Sequence, residues 1–161
     1  MTIDQVIATA INPALALLPA RMDSPQARVL MLAIGLQESR FEHRRQLGNG
    51  PARGFWQFEA GGGVKGVMTH LASRDDARRI AQTRGVPLEQ RAVWAALERD
   101  DVLAAAFARL LLWTDACPLP ALGDWAGGWD YYLRTWRPGK PKPDKWPGLY
   151  RQAVDAAGGA P

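Results

Sequence analysis

Cysteine is nearly absent. Cys117 stands alone among 161 residues, so no intramolecular disulfide can form and stability has to come from packing. With Pro118 after it and no partner histidine in view, Cys117 reads as a small buried apolar residue. There is no long apolar run. The N-terminal stretch, "MTIDQVIATAINPALALLPARM", is moderately apolar, holds Asp4, Pro13 and Pro19 and has no early Lys or Arg. It suits neither a signal peptide nor a bilayer span, so no membrane insertion is expected. The two histidines, His43 and His70, lack the spacing of a metal pair. No metal and no cofactor are expected. Zinc-ligand sets, RNA-binding signatures and helix-turn-helix patterns are missing too, which leaves nucleic acid as a partner with charge alone to support it. No repeat and no linker divides the chain. One domain is expected over residues 1–157, with 158–161 as a disordered tail.

What is present is basic and rich in tryptophan. The net charge is +4 and the pI about 9.6. Basic residues gather at Arg40, His43, Arg44, Arg45 and Arg53, and again at Arg134, Arg137, Lys140, Lys142 and Lys145. Such clusters are either an ordinary solvated surface or a match for an anionic partner. Of seven tryptophans, Trp113, Trp125, Trp129, Trp136 and Trp146 fall in the last third. Tryptophan fills cores, and it also stacks on sugar faces.

The periodicity is helical almost throughout. Ile3 to Ile11 reads as a short helix stopped near Pro13. "DSPQARVLMLAIGLQESR" has a clear start, with Ser24 as N-cap and Pro25 at the first helical position. Val29 to Leu36 is apolar around most of the cylinder, the mark of a buried helix. The stretch from Arg44 to Gly54 has turn chemistry at Gly48, Asn49, Gly50, Pro51 and Gly54, suited to a small hairpin. Gly61–Gly63 form a joint. Helices then follow at about Val64–Thr83, Leu88–Leu97, Asp101–Thr114, Leu122–Trp136 and Leu149–Ala157. "RPGKPKPDKWP" reads as an extended loop. The class is mainly α.

Glu38 ends the buried helix. Burial disfavours the charged carboxylate, and so does the negative end of the helix dipole; both raise its pKa. That is the condition a general acid needs at neutral pH. Neighbouring arginines would act the other way if they pointed at it. The plain alternative is a solvated last-turn glutamate paired with an arginine. Glu59 follows a glycine-rich loop and "GFWQFE". Its plain alternative is a solvated residue capping the turn into Gly61–Gly63.

"ESRF" followed by "GFWQFE" resembles the "ES-x-F … G-L-M-Q" signature of the soluble lytic transglycosylase and goose-type lysozyme superfamily. The likeness covers about Leu30 to Glu59. It implies a single-domain lysozyme-like fold with a small loop or hairpin lobe beside the catalytic helix. Glu38 would be the acid that protonates the glycosidic oxygen. Ser39 and Phe41 match the residues after that acid, and Gly54 and Gln57 match the second element, with Phe55 and Trp56 where Leu and Met are usual. Glu59 falls where goose-type lysozymes carry an acid that helps hold water. The third element, "A-Y-N-A-G", is not reproduced. In "WAGGWDYYLRTW" Ala126, Gly127 and Gly128 replace the Tyr-Asn pair. The implied substrate-binding set is Ser39, Trp56, Gln57, Trp129, Tyr131, Tyr132 and Tyr150, the last matching a late helix tyrosine. For each aromatic the ordinary alternative is a place in the core.

The resemblance implies a peptidoglycan glycosidase acting on the β-1,4 link between N-acetylmuramic acid and N-acetylglucosamine. Its partner would be a bacterial glycan strand, and a monomer is expected. Hydrolysis assisted by Glu59 competes with transglycosylation to a 1,6-anhydromuramic end. A phage origin is implied, as an endolysin released by a holin or as part of a particle. Two readings from other classes stay open: a non-catalytic virion or wall-binding module, and a DNA-associated helical protein.

Overall fold

The structure, a computed structural model, describes residues 1–46, 48 and 50–158. Asn49 of the expected hairpin and residues 159–161 of the expected tail lie outside the described residues. The fold is mainly helical. Among the described residues it has isolated antiparallel bridges, Arg45 with Arg53 and Arg53 with Phe58, and no strand. The helices are α1 (Ile3–Val6), α2 (Asn12–Ala16), α3 (Pro25–Ser39), α4 (Lys65–Thr69), α5 (Arg74–Thr83), α6 (Gln90–Ala96), α7 (Asp101–Trp113), α8 (Trp125–Trp136) and α9 (Trp146–Ala156).

Two helices form the interior. α3 starts as its sequence dictates: the Ser24 hydroxyl accepts from the Ala27 amide at 3.1 Å, with Pro25 first in the helix. Every residue from Val29 to Leu36 is buried. α7 is its equal, with Leu103 to Leu112 all buried. The Asp100 carboxylate caps it by accepting from the Leu103 amide at 2.9 Å. α3 packs on α7 and α9, α7 on α2 and α5, and α8 on α9. No helix among the described residues is long and apolar enough to cross a membrane.

Several local expectations fail for identifiable reasons. The first helix does not stop at Pro13. A wide π-helical turn over Ile7–Ile11, in which the Asn12 N–H donates to the Ile7 carbonyl, carries it into α2 with Pro13 in the first turn. The single helix expected at 64–83 is two. His70 is extended (ψ 135°), and the buried Ser73 hydroxyl donates to the Val67 carbonyl at 2.8 Å across the break. The last helix begins at Trp146 rather than Leu149, because Pro147 occupies its first turn. Cys117 is exposed rather than buried; it lies in the irregular segment between α7 and α8, outside the packed layers.

Candidate active site

Arg53 and Phe58 exchange backbone hydrogen bonds of 2.9 and 2.8 Å and close a tight loop, Gly54–Gln57. Gly54 is required here. Its φ is +73°, and a Cβ would lie 2.7 Å from the Leu97 carbonyl oxygen. The loop is fastened at three points. Ser39 Oγ donates to the Phe55 carbonyl at 2.7 Å, Trp56 Nε1 to the Met31 carbonyl at 2.8 Å, and Trp136 Nε1 to the Trp56 carbonyl at 3.0 Å. The amide of Gln57, itself left-handed at φ 51°, donates to the Gly54 carbonyl at 2.8 Å. The end of α3, the loop and the end of α8 are thereby held as one unit.

A cleft of about 1260 Å³ opens against that unit. Glu38, Gln57, Glu59, Tyr132 and Trp136 all line it. The Tyr132 hydroxyl donates to Glu38 Oε1 at 2.6 Å. Its ring is buried and stacked on Trp146, with centroids 5.4 Å apart and planes 14° from parallel. Burial pushes the Glu38 carboxyl from its ordinary 4.5 up to about 7. The Tyr132 bond works against this by favouring the anion, and the Glu59 charge adds to the rise. The arginines that follow Glu38 in sequence are drawn elsewhere. Arg44 pairs with Asp101 at 2.7 Å, and Arg45 and Arg53 pair with Glu98 at 3.1 and 2.9 Å. Glu59 is exposed, at the mouth of the Ala60–Val64 turn, and its side chain makes no capping bond there.

Four of the nine expected site residues share the cleft: Glu38, Gln57, Glu59 and Tyr132. The other five do not line it. Ser39 is buried and spends its hydroxyl on backbone groups. Trp56 has 0% exposure and plugs the core beneath the loop, edge-on to Phe41. Tyr131 is buried, and its hydroxyl donates to the Leu112 carbonyl at 2.9 Å. Tyr150 is buried over Gly128, where a Cβ would approach its ring to 2.7 Å. That contact accounts for a glycine in the departed third element. Trp129 packs between Tyr132 and Trp146 at 5.3 and 5.4 Å. None of these five lines the cleft: Ser39, Trp56, Tyr131 and Tyr150 are buried, and Trp129 is half-buried.

Trp136 was missed by sequence reasoning. It lies one helical turn beyond Tyr132 on α8, a spacing that puts both on one face and was available as a signal. Tyr132 as partner of the acid had no local signal at all. Among the described residues no group of three or more His, Cys, Asp or Glu converges as a metal site requires. Compared with protein-family models, curated proteins and solved structures, the chain matches none.

Proposed function

We propose that the chain is a peptidoglycan glycosidase with a lysozyme-like fold, cleaving the β-1,4 link between N-acetylmuramic acid and N-acetylglucosamine. One observation carries this reading: a half-buried glutamate, its carboxyl raised to about 7 by desolvation and held by Tyr132, lines an open cleft together with a second carboxylate. Glu38 gives its proton to the leaving glycosidic oxygen as the bond to the anomeric carbon breaks. Water adds to that carbon, its proton passing to Glu59; solvent then takes that proton from Glu59 and returns one to Glu38. The hydrogen bond from Tyr132 fixes where the Glu38 oxygens point.

Transglycosylation is the second reading, and the open setting of Glu59 favours it. A base that activates water needs a held geometry, and Glu59 has no capping bond to hold it. In that case the muramoyl 6-hydroxyl attacks the anomeric carbon, and the Glu38 carboxylate takes the hydroxyl proton. The test is the clearing of purified cell walls by the parent and by Glu38→Gln, with mass spectrometry of the products. The variant should lose about 10²–10⁴-fold in rate while keeping its fold. Reducing ends mark hydrolysis and anhydro ends mark transglycosylation. Clearing by the folded variant at the parent rate removes Glu38 as the acid.

A further inference from the structure

The cleft carries more positive charge than acid catalysis uses. Lys65 on α4 and Arg137, Lys140 and Lys142 on the loop between α8 and α9 all line it. Two other cleft arginines are paired, Arg134 with Asp115 at 2.6 Å and Arg45 with Glu98 at 3.1 Å, a carboxylate it shares with Arg53. Lys65, Arg137, Lys140 and Lys142 form no ion pair among the described residues. All four are exposed, so this positive charge forms a rim on the cleft.

The loop that carries most of it is restrained. Pro138, Pro141 and Pro143 limit its backbone. Gln37, next to the acid, donates its side-chain amide to the Lys142 carbonyl at 3.1 Å. Arg137 is left-handed at φ 49°, which turns the chain sharply off α8 into the rim. A restrained cationic rim loses less freedom when it meets an anion than a free tail would.

We infer that this rim selects glycan strands bearing acidic peptide stems, with Lys65, Arg137, Lys140 and Lys142 receiving the stem carboxylates. The inference rests on the wall-cleaving reading and names which form of the strand the site takes. The sugars of such a strand are neutral. Its negative charge sits on the peptides attached to alternate sugars through their lactyl groups. A strand whose stems are gone and whose lactyl carboxylates are capped, or a polymer of N-acetylglucosamine alone, offers the rim no partner. Exposed carboxylate–lysine contacts are individually weak, so several together give a preference of about tenfold, and salt erodes it.

The experiment compares initial cleavage rates on two soluble substrates, glycan strands carrying uncross-linked stems and strands whose stems an amidase has removed and whose freed lactyl carboxylates have been capped as amides, at low and high salt. Three proteins are used: the parent, Lys140→Glu/Lys142→Glu, and a control, Arg78→Glu/Arg99→Glu. The control makes the same change of net charge at exposed positions outside the cleft. The parent should favour stem-bearing strands about tenfold at low salt, and the control should keep that ratio. The rim variant should bring the ratio close to one. Equal parent rates on both substrates overturn the inference, and so does a control that loses the preference as fully as the rim variant. If the parent cleaves neither substrate, the wall-cleaving reading fails on its own. Affinity electrophoresis with the two kinds of strand then decides the rim. Stem-dependent binding lost in Lys140→Glu/Lys142→Glu supports it, and binding indifferent to the stems overturns it.

Discussion

Glu38 and Glu59 face one cleft from two different kinds of scaffold. Glu38 stands in the last turn of a capped, buried helix. Its carboxyl is fixed by a tyrosine whose own ring is stacked in the core. Glu59 stands at the start of a glycine-rich turn, exposed, with no capping bond from its side chain. The same residue type is thus an acid with a perturbed pKa in one place and a solvated carboxylate in the other. Sequence neighbours alone do not make that difference. The supporting shell does, here Trp56, Tyr132 and Trp146.

The comparison can be broken from either side. After the loss of activity expected of Glu38→Gln, the largest effect belongs to Trp56→Ala. It removes a fully buried indole and its bond to the Met31 carbonyl. It should cost about 3–5 kcal/mol of stability. Glu59→Gln, on the open side, should stay within about 0.5 kcal/mol of the parent. Urea unfolding of the two variants reads both values, and a comparable loss in both would dissolve the contrast.

Next comes the pH dependence of stability. The Glu38 carboxyl ionises at an ordinary 4.5 when unfolded and near 7 when folded, so the folded state holds the proton more tightly. The stability this gives is complete below about pH 4.5. It is lost as pH rises through 7, for a total of up to about 3 kcal/mol. Glutamine does not ionise. Glu38→Gln should therefore be more stable than the parent at pH 8, and the gain should vanish near pH 4. A gain that is the same at both pH values would place Glu38 in an ordinary environment.

The smallest effect sharpens the role of Tyr132. Tyr132→Phe removes the 2.6 Å hydrogen bond and keeps the stacked ring. Because that bond favours the anion, its loss should raise the Glu38 pKa further and move the alkaline limb of the pH–rate profile upward. The freed carboxyl should lower kcat by about tenfold, with KM little changed. A change in KM alone would make Tyr132 a substrate contact instead.

The local parts of this design were legible in the sequence. Ser24 and Pro25 mark the start of α3 because caps act within one turn. The unbroken apolar run then predicts a buried helix with Glu38 at its end. What was not legible is long-range. Nothing near residue 132 announces that its hydroxyl meets Glu38, and nothing near Trp56 announces that its indole finds a carbonyl inside α3. The expectation that Trp56, Tyr131 and Tyr150 touch a substrate rests on the resemblance; aromatic side chains serve cores and sugar sites alike, and the burial of these three comes from elements distant in sequence. The break at His70 depends on Ser73 reaching back to Val67, which periodicity does not encode. The basic clusters were visible, but their division into paired and unpaired cations needed the positions of Glu98, Asp101 and Asp115.

Glu38 is a half-buried acid whose carboxyl is raised to about 7, so a large share of it still holds its proton near neutrality. Carbon-13 NMR of the side-chain carboxyl groups tests this most directly, with the Glu38 resonance assigned by its absence from Glu38→Gln and followed from pH 3 to 9. The account predicts a midpoint at about 7. A midpoint at the ordinary 4.5 would contradict it, because a glutamate that is already ionised at neutral pH has no proton to give.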